Sequence, residues 1–166
     1  MKWISLSAFY LFLIFALGGQ VSAQTQMTTT GINYGSSTMK ISSIDKDTWV
    51  GTVEQMGIRV DDTSKGPFHL ISTDIQMIMF GDKTGVRYYG YETHVDKDGD
   101  KVIWEIWGFP VGSNKGKGKI IGATGKFEGI EGTMDFVLQN PPQGFPEGTS
   151  RTVCKEVMKL TLKAPL

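Results

Sequence analysis

The run that closes the chain has the cleanest alternation in it. Val153, Lys155, Val157, Lys159, Thr161 and Lys163 fall on one face of an extended segment, and Cys154, Glu156, Met158, Leu160 and Leu162 on the other. Three lysines mark the first face as outward, so the second, Glu156 included, is predicted to face a core. Apolar and polar positions alternate in shorter runs upstream. Together they predict eight strands at 38–44, 48–60, 68–80, 85–95, 101–109, 117–123, 132–139 and 152–163. Polar turns separate them at Asp45-Lys46-Asp47, Asp61 to Pro67 and Gly81 to Gly85. Longer loops run from Pro110 to Gly116 and from Asn140 to Ser150. The second of these is too rich in proline to enter a sheet interior. No helical periodicity follows Gln24, and no repeat or linker divides the chain. Sequential strands on short turns predict an all-β fold, an antiparallel eight-stranded up-and-down barrel over 38–166, with no free sheet edge. At least seven antiparallel strands and no helix longer than two turns are expected.

The start of the chain carries a different pattern. Lys2 precedes an apolar run from Trp3 to Leu17, and Val21-Ser22-Ala23 offers a small-residue cleavage site. Residues 1–23 therefore read as a signal peptide cut after Ala23. The run is shorter than the ~20 apolar residues of a spanning helix, so no stable membrane anchor is expected after cleavage. A secreted or periplasmic location follows. Residues 24–37, rich in Thr and Gln, are predicted to be a flexible N-terminal segment.

The strongest hairpin signal is Tyr88 to Phe109, turning at Asp98-Gly99. A two- or four-residue loop there pairs Val95 with Val102, Thr93 with Trp104 and Tyr91 with Ile106. On the other face it pairs His94 with Ile103 and Glu92 with Glu105. A three-residue loop would slip every pair by one. Two readings of the glutamate face compete. It meets water, with lysines relieving the repulsion, or it lines a lumen where one carboxyl stays protonated. Tyr89, Tyr91, Trp104 and Ile106 on the opposite face favour the solvent reading.

Composition narrows the chemistry. The 17 basic and 17 acidic residues balance, which argues against nucleic acid or an anionic membrane as a main partner. The 21 glycines among 166 residues are nearly double the usual share of ~7%, as many turns require. Cys154 is the only cysteine, so no internal disulfide forms, and on a buried face it reads as an inert small hydrophobe. His69 and His94 lie on different strands, and a zinc site built on them would need carboxylates to complete it. They read as surface or rim histidines. Asp96-x-Asp98-Gly99-Asp100 lacks the glycine and glutamate of a calcium loop and reads as a turn. No serine-nucleophile elbow occurs. No metal, no cofactor and no catalytic constellation are expected.

The stretch from Gly116 to Gly132, G-K-G-K-I-I-G-A-T-G-K-F-E-G-I-E-G, fits neither a phosphate loop nor a dinucleotide fingerprint. It reads as strand, tight bend and strand, with Gly125 at positive φ and Phe127 and Ile130 tucked into the core. This stretch resembles the motif near the C-terminus of the allene oxide cyclase and dirigent protein superfamily. It is also similar to exported bacterial proteins with an allene-oxide-cyclase-like barrel. The resemblance implies a barrel that holds a small apolar ligand or a partner protein at its mouth without catalysis. It also leaves open a cyclase or isomerase that shapes a reactive substrate in an aromatic cavity, or a structural module with a filled core. Only through the resemblance is a homo-oligomer implied. Candidate ligand-lining residues are Tyr89, Tyr91, Trp104, Cys154 and Glu156, with Arg87 as the cation best placed to reach Glu156.

Overall fold

A computed structural model describes residues 24–108, 114–139 and 148–163. The expected signal peptide and most of the proline-rich loop lie outside them. Eight strands run in chain order around a closed barrel: β1 (Thr25–Ser43), β2 (Trp49–Asp61), β3 (Ile71–Asp82), β4 (Gly85–Val95), β5 (Lys101–Gly108), β6 (Lys115–Ala123), β7 (Glu131–Leu138) and β8 (Gly148–Leu162). Every neighbouring pair is antiparallel, and β1 closes the ring by pairing with both β2 and β8. The one helical element among the described residues is a three-residue 3-10 turn at Gly125–Phe127.

Two expectations change. Residues 24–37 are not a frayed tail, because β1 starts at Thr25 and pairs with β8 from Thr25–Leu162 to Met39–Gly148. Backbone ladders on both sides hold this strand, and its inward positions from Thr29 to Ser37 are small or polar because polar groups await them inside. Thr29 and Asn33 both bond there, so apolar alternation was never going to mark it.

The second change is register. Val95 pairs with Lys101, His94 with Val102, Glu92 with Trp104 and Tyr91 with Glu105, one residue away from the expected pairing. The loop is the three-residue kind. Gly99 donates to the Asp96 carbonyl at 3.1 Å, Asp96 donates to the Asp100 carbonyl at 3.0 Å, and Gly99 takes φ +87°. The slip sends Tyr89 and Tyr91 outward while Trp104 and Ile106 stay inside. Glu92 and His94 go in with them, and Glu105 goes out to Lys119 at 2.6 Å. The solvent reading of the Glu92 and His94 face is thus corrected.

The apolar core fills one end of the barrel. There Phe68, Ile71, Val102, Phe127, Ile130, Leu160 and Leu162 are buried, and Phe68 stacks on Phe127 at 5.4 Å. The glycine-rich bend supplies this plug. Gly125 takes φ +59°, Lys126 pairs with Asp96, and the Lys126 amide donates to Asp100 at 3.2 Å. The acidic β4–β5 turn is therefore held by an ammonium and by backbone N–H groups. At the opposite end, where β2 and β4 begin, a smaller group of Met39, Val53 and Met79 packs with Trp49, Val86 and Tyr88. We call that end the mouth.

Candidate functional site

Between the plug and the mouth lies a tier of polar side chains on the inner face of five strands. Alternation along each strand puts them there: Thr29 and Asn33 from β1, Arg59 and Asp61 from β2, Thr73 from β3, Glu92 and His94 from β4, and Glu156 from β8 are all buried. Arg59 is the hub. Its Nε donates to Glu156 Oε2 at 2.9 Å, and one terminal nitrogen binds Asp61 and the Phe68 carbonyl. Thr29 donates to Asp61 at 2.8 Å. A second branch joins Glu92, which accepts from Asn33 Nδ2 at 3.0 Å and lies 2.9 Å from His94 Nε2. Thr73 donates to Asn33 Oδ1 at 3.1 Å. Gly31 makes room for the hub, since a Cβ there would lie 2.8 Å from Arg59 Nη2.

Burial sets the electrostatics. It pushes the Glu156 carboxyl up to about 8, with the Glu92 charge adding to the rise, while Arg59 and Asn33 pull the other way. Desolvation outweighs pairing here, so Glu156 is both paired and raised. The Cys154 thiol is pushed up by burial and then by Glu156 and Glu92, which makes it a poor nucleophile. Burial also raises the Tyr88 hydroxyl, with Cys154 a second cause. Among the described side chains inside the barrel wall, Arg59 Nη2, Asp61 Oδ2, His94 Nδ1, Tyr88 Oη and Trp104 Nε1 are buried without a hydrogen-bond partner. Unmatched buried groups are rare in settled cores and call for an explanation.

The structure divides the expected ligand-lining residues. Trp104, Cys154 and Glu156 are buried inside the barrel. Tyr89, Tyr91 and Arg87 stand on the outer wall, where Tyr89 bonds Glu105 and Arg87 binds Asp82 at 2.8 Å. The cation at Glu156 is Arg59, not Arg87. Sequence reasoning passed over Arg59, Asp61, Asn33 and Tyr88, and it weighed an inward Glu92 and a zinc-ligating His94 but favoured a surface position for both. For β2 there was no usable signal, because its inner face holds Gln55, Arg59 and Asp61 while Met56 and Ile58 face out. A cleft of about 760 Å³ opens where β6, β7, β8 and β1 run side by side, lined by Met27, Ile120, Gly132 and Leu160. None of the buried tier lines it, so it is not where the chemistry sits.

These features define a class of protein by its architecture alone: a closed, antiparallel, eight-stranded barrel with a buried polar tier. Solved structures similar to this chain include two pterocarpan synthase dirigent proteins. With GePTS1 the TM-score is 0.55 at 11% identity, covering 85% of this chain and 88% of the other. With PsPTS1 it is 0.50 at 11% identity, covering 89% and 99%. Neither a protein-family profile nor a curated protein matches the sequence. At this identity the likeness speaks for the fold alone.

Proposed function

We propose that this chain is an exported, non-catalytic binding barrel that takes a small, largely apolar ligand at its mouth. The observation that carries the reading is the Tyr88 hydroxyl. It is buried without a hydrogen-bond partner next to a methionine-bearing layer, and the charged tier lies beyond it. Tyr88 packs against both apolar groups of the core, so it stands where mouth and lumen meet. Met39 and Met79 are flexible, polarisable side chains that can repack around an incoming apolar body. A ligand with one hydroxyl or carbonyl would then satisfy the phenol, as apolar sites with a few placed polar groups do. The tier supports this reading in a second way. Buried ion pairs add little stability over an apolar core of the same volume, so fold stability alone does not account for them.

The test uses the natively exported protein. Mass spectrometry should find a retained small molecule, and 1-aminoanthracene, an apolar fluorophore with one polar group, should bind with saturation and compete with it. Tyr88→Phe should weaken binding several-fold while leaving the urea midpoint near the parent's. A protein that retains nothing and does not bind the fluorophore is a filled structural barrel, and the reading fails.

A further inference from the structure

We propose that Glu92, His94 and Glu156 bind one divalent transition ion of the zinc or manganese class inside the barrel. The three residues come from β4 and β8, which face each other four places apart in the ring, and each offers a donor atom within 4.8 Å of the others. A first-row divalent ion sits ~2.0–2.2 Å from nitrogen and oxygen donors. In tetrahedral coordination two such donors are ~3.4 Å apart, so side-chain rotations of about an ångström would close the site. One imidazole and two carboxylates form a mixed donor set that suits such ions better than calcium or magnesium.

A charge count supplies the second, independent argument. Among the described residues the buried tier holds three carboxyl groups, Asp61, Glu92 and Glu156, and one permanent cation, Arg59. With all three carboxyls ionised, as metal ligation requires, the carboxylates and Arg59 together leave two negative charges in excess, and an uncompensated charge in a low-dielectric interior is expensive. One divalent ion brings the tier to neutrality. Arg59 bonds Glu156 through Oε2 alone, so the guanidinium itself does not occupy the second oxygen. His94 is 0% exposed, and its Nδ1 has no partner. Asn33, bonded to Glu92 and oriented by Thr73, fixes one carboxylate from the next layer out, the role outer partners play in metal sites. The ion would sit beyond the mouth layer, so this proposal stands whether or not an organic ligand binds there.

The experiment takes the whole protein stripped with a chelator and titrates it with Zn²⁺ alone by calorimetry. One saturable site per chain is expected, together with a rise in Tm as Zn²⁺ is added. His94→Gln and Glu92→Gln should each weaken binding by more than the ~10–100-fold that loss of an outer partner costs. His69→Gln, which alters a histidine outside the tier, should bind like the parent. Co²⁺ should quench Trp104, whose ring centroid is 5.7 Å from that of His94, and Trp104→Phe should remove that quenching. If a ligand variant fails to fold, the Co²⁺ quenching in the parent decides the question. Absence of a one-to-one site overturns the proposal. So does binding that survives both ligand variants, or that disappears with His69→Gln.

Discussion

Glu156 shows how one residue can be legible in position and illegible in partnership. Alternation against Lys155, Lys159 and Lys163 fixed its inward direction. Its pH dependence follows from its surroundings. The unfolded chain releases the Glu156 proton near the ordinary 4.5, whereas the native protein keeps it to about 8. Between those values the native state binds more protons, so unfolding free energy should fall as pH rises, and the loss should be complete above about 8. In metal-free protein, urea midpoints taken at about pH 5 and about pH 9 should decline, and Glu156→Gln should flatten that decline. A parent with equal midpoints across the window would show that Arg59 outweighs desolvation. The identity of that cation was not readable. An arginine on a strand normally marks the wet face, and β2 inverts the rule because its inner face meets a polar tier. The same inversion hid Asn33 and Glu92, whose partners lie 59 residues apart in sequence.

At the level of elements, all eight strands were readable, and most boundaries fell within a few residues. The exceptions have separate physical causes. The first half of β1 was missed because strand pairing on both sides needs no apolar side chains. The β4–β5 hairpin slipped because Asp-Gly serves two loop lengths, and the choice between them rests on contacts from elsewhere. Those contacts come from the glycine-rich bend. Thr124 exchanges hydrogen bonds with Lys101, and Lys126 and the Lys126 amide reach Asp96 and Asp100. The bend therefore sets the register of a hairpin more than twenty residues upstream. Gly125→Val should accordingly cost more than about 2 kcal/mol. A β-branched residue at positive φ is strained by roughly 1–3 kcal/mol, and its side chain would collide with the Asp100 carboxylate. Equilibrium urea unfolding checks this. A midpoint like the parent's would mean that the bend has another conformation open to it.

For the whole molecule the decisive ladder is the one between β1 and β8. Thr25 lies opposite Leu162, so the two ends of the described chain are neighbours. A circular permutant that joins Gln24 to Lys163 by a short glycine linker and opens at Lys83-Thr84 should keep the fold, since exposed turns tolerate new termini. Its far-UV circular dichroism should match the parent's, with a single cooperative urea transition. Loss of the β-sheet spectrum would show that β3 and β4 must be joined for the barrel to close. That ladder also governs when folding can happen. Pairings so distant in sequence form slowly, on the millisecond-to-second scale of all-β domains. No partial barrel can seal itself while β8 is still unmade, because the first strand has no second neighbour until then. Closure of the ring therefore comes after all eight of its strands have been made.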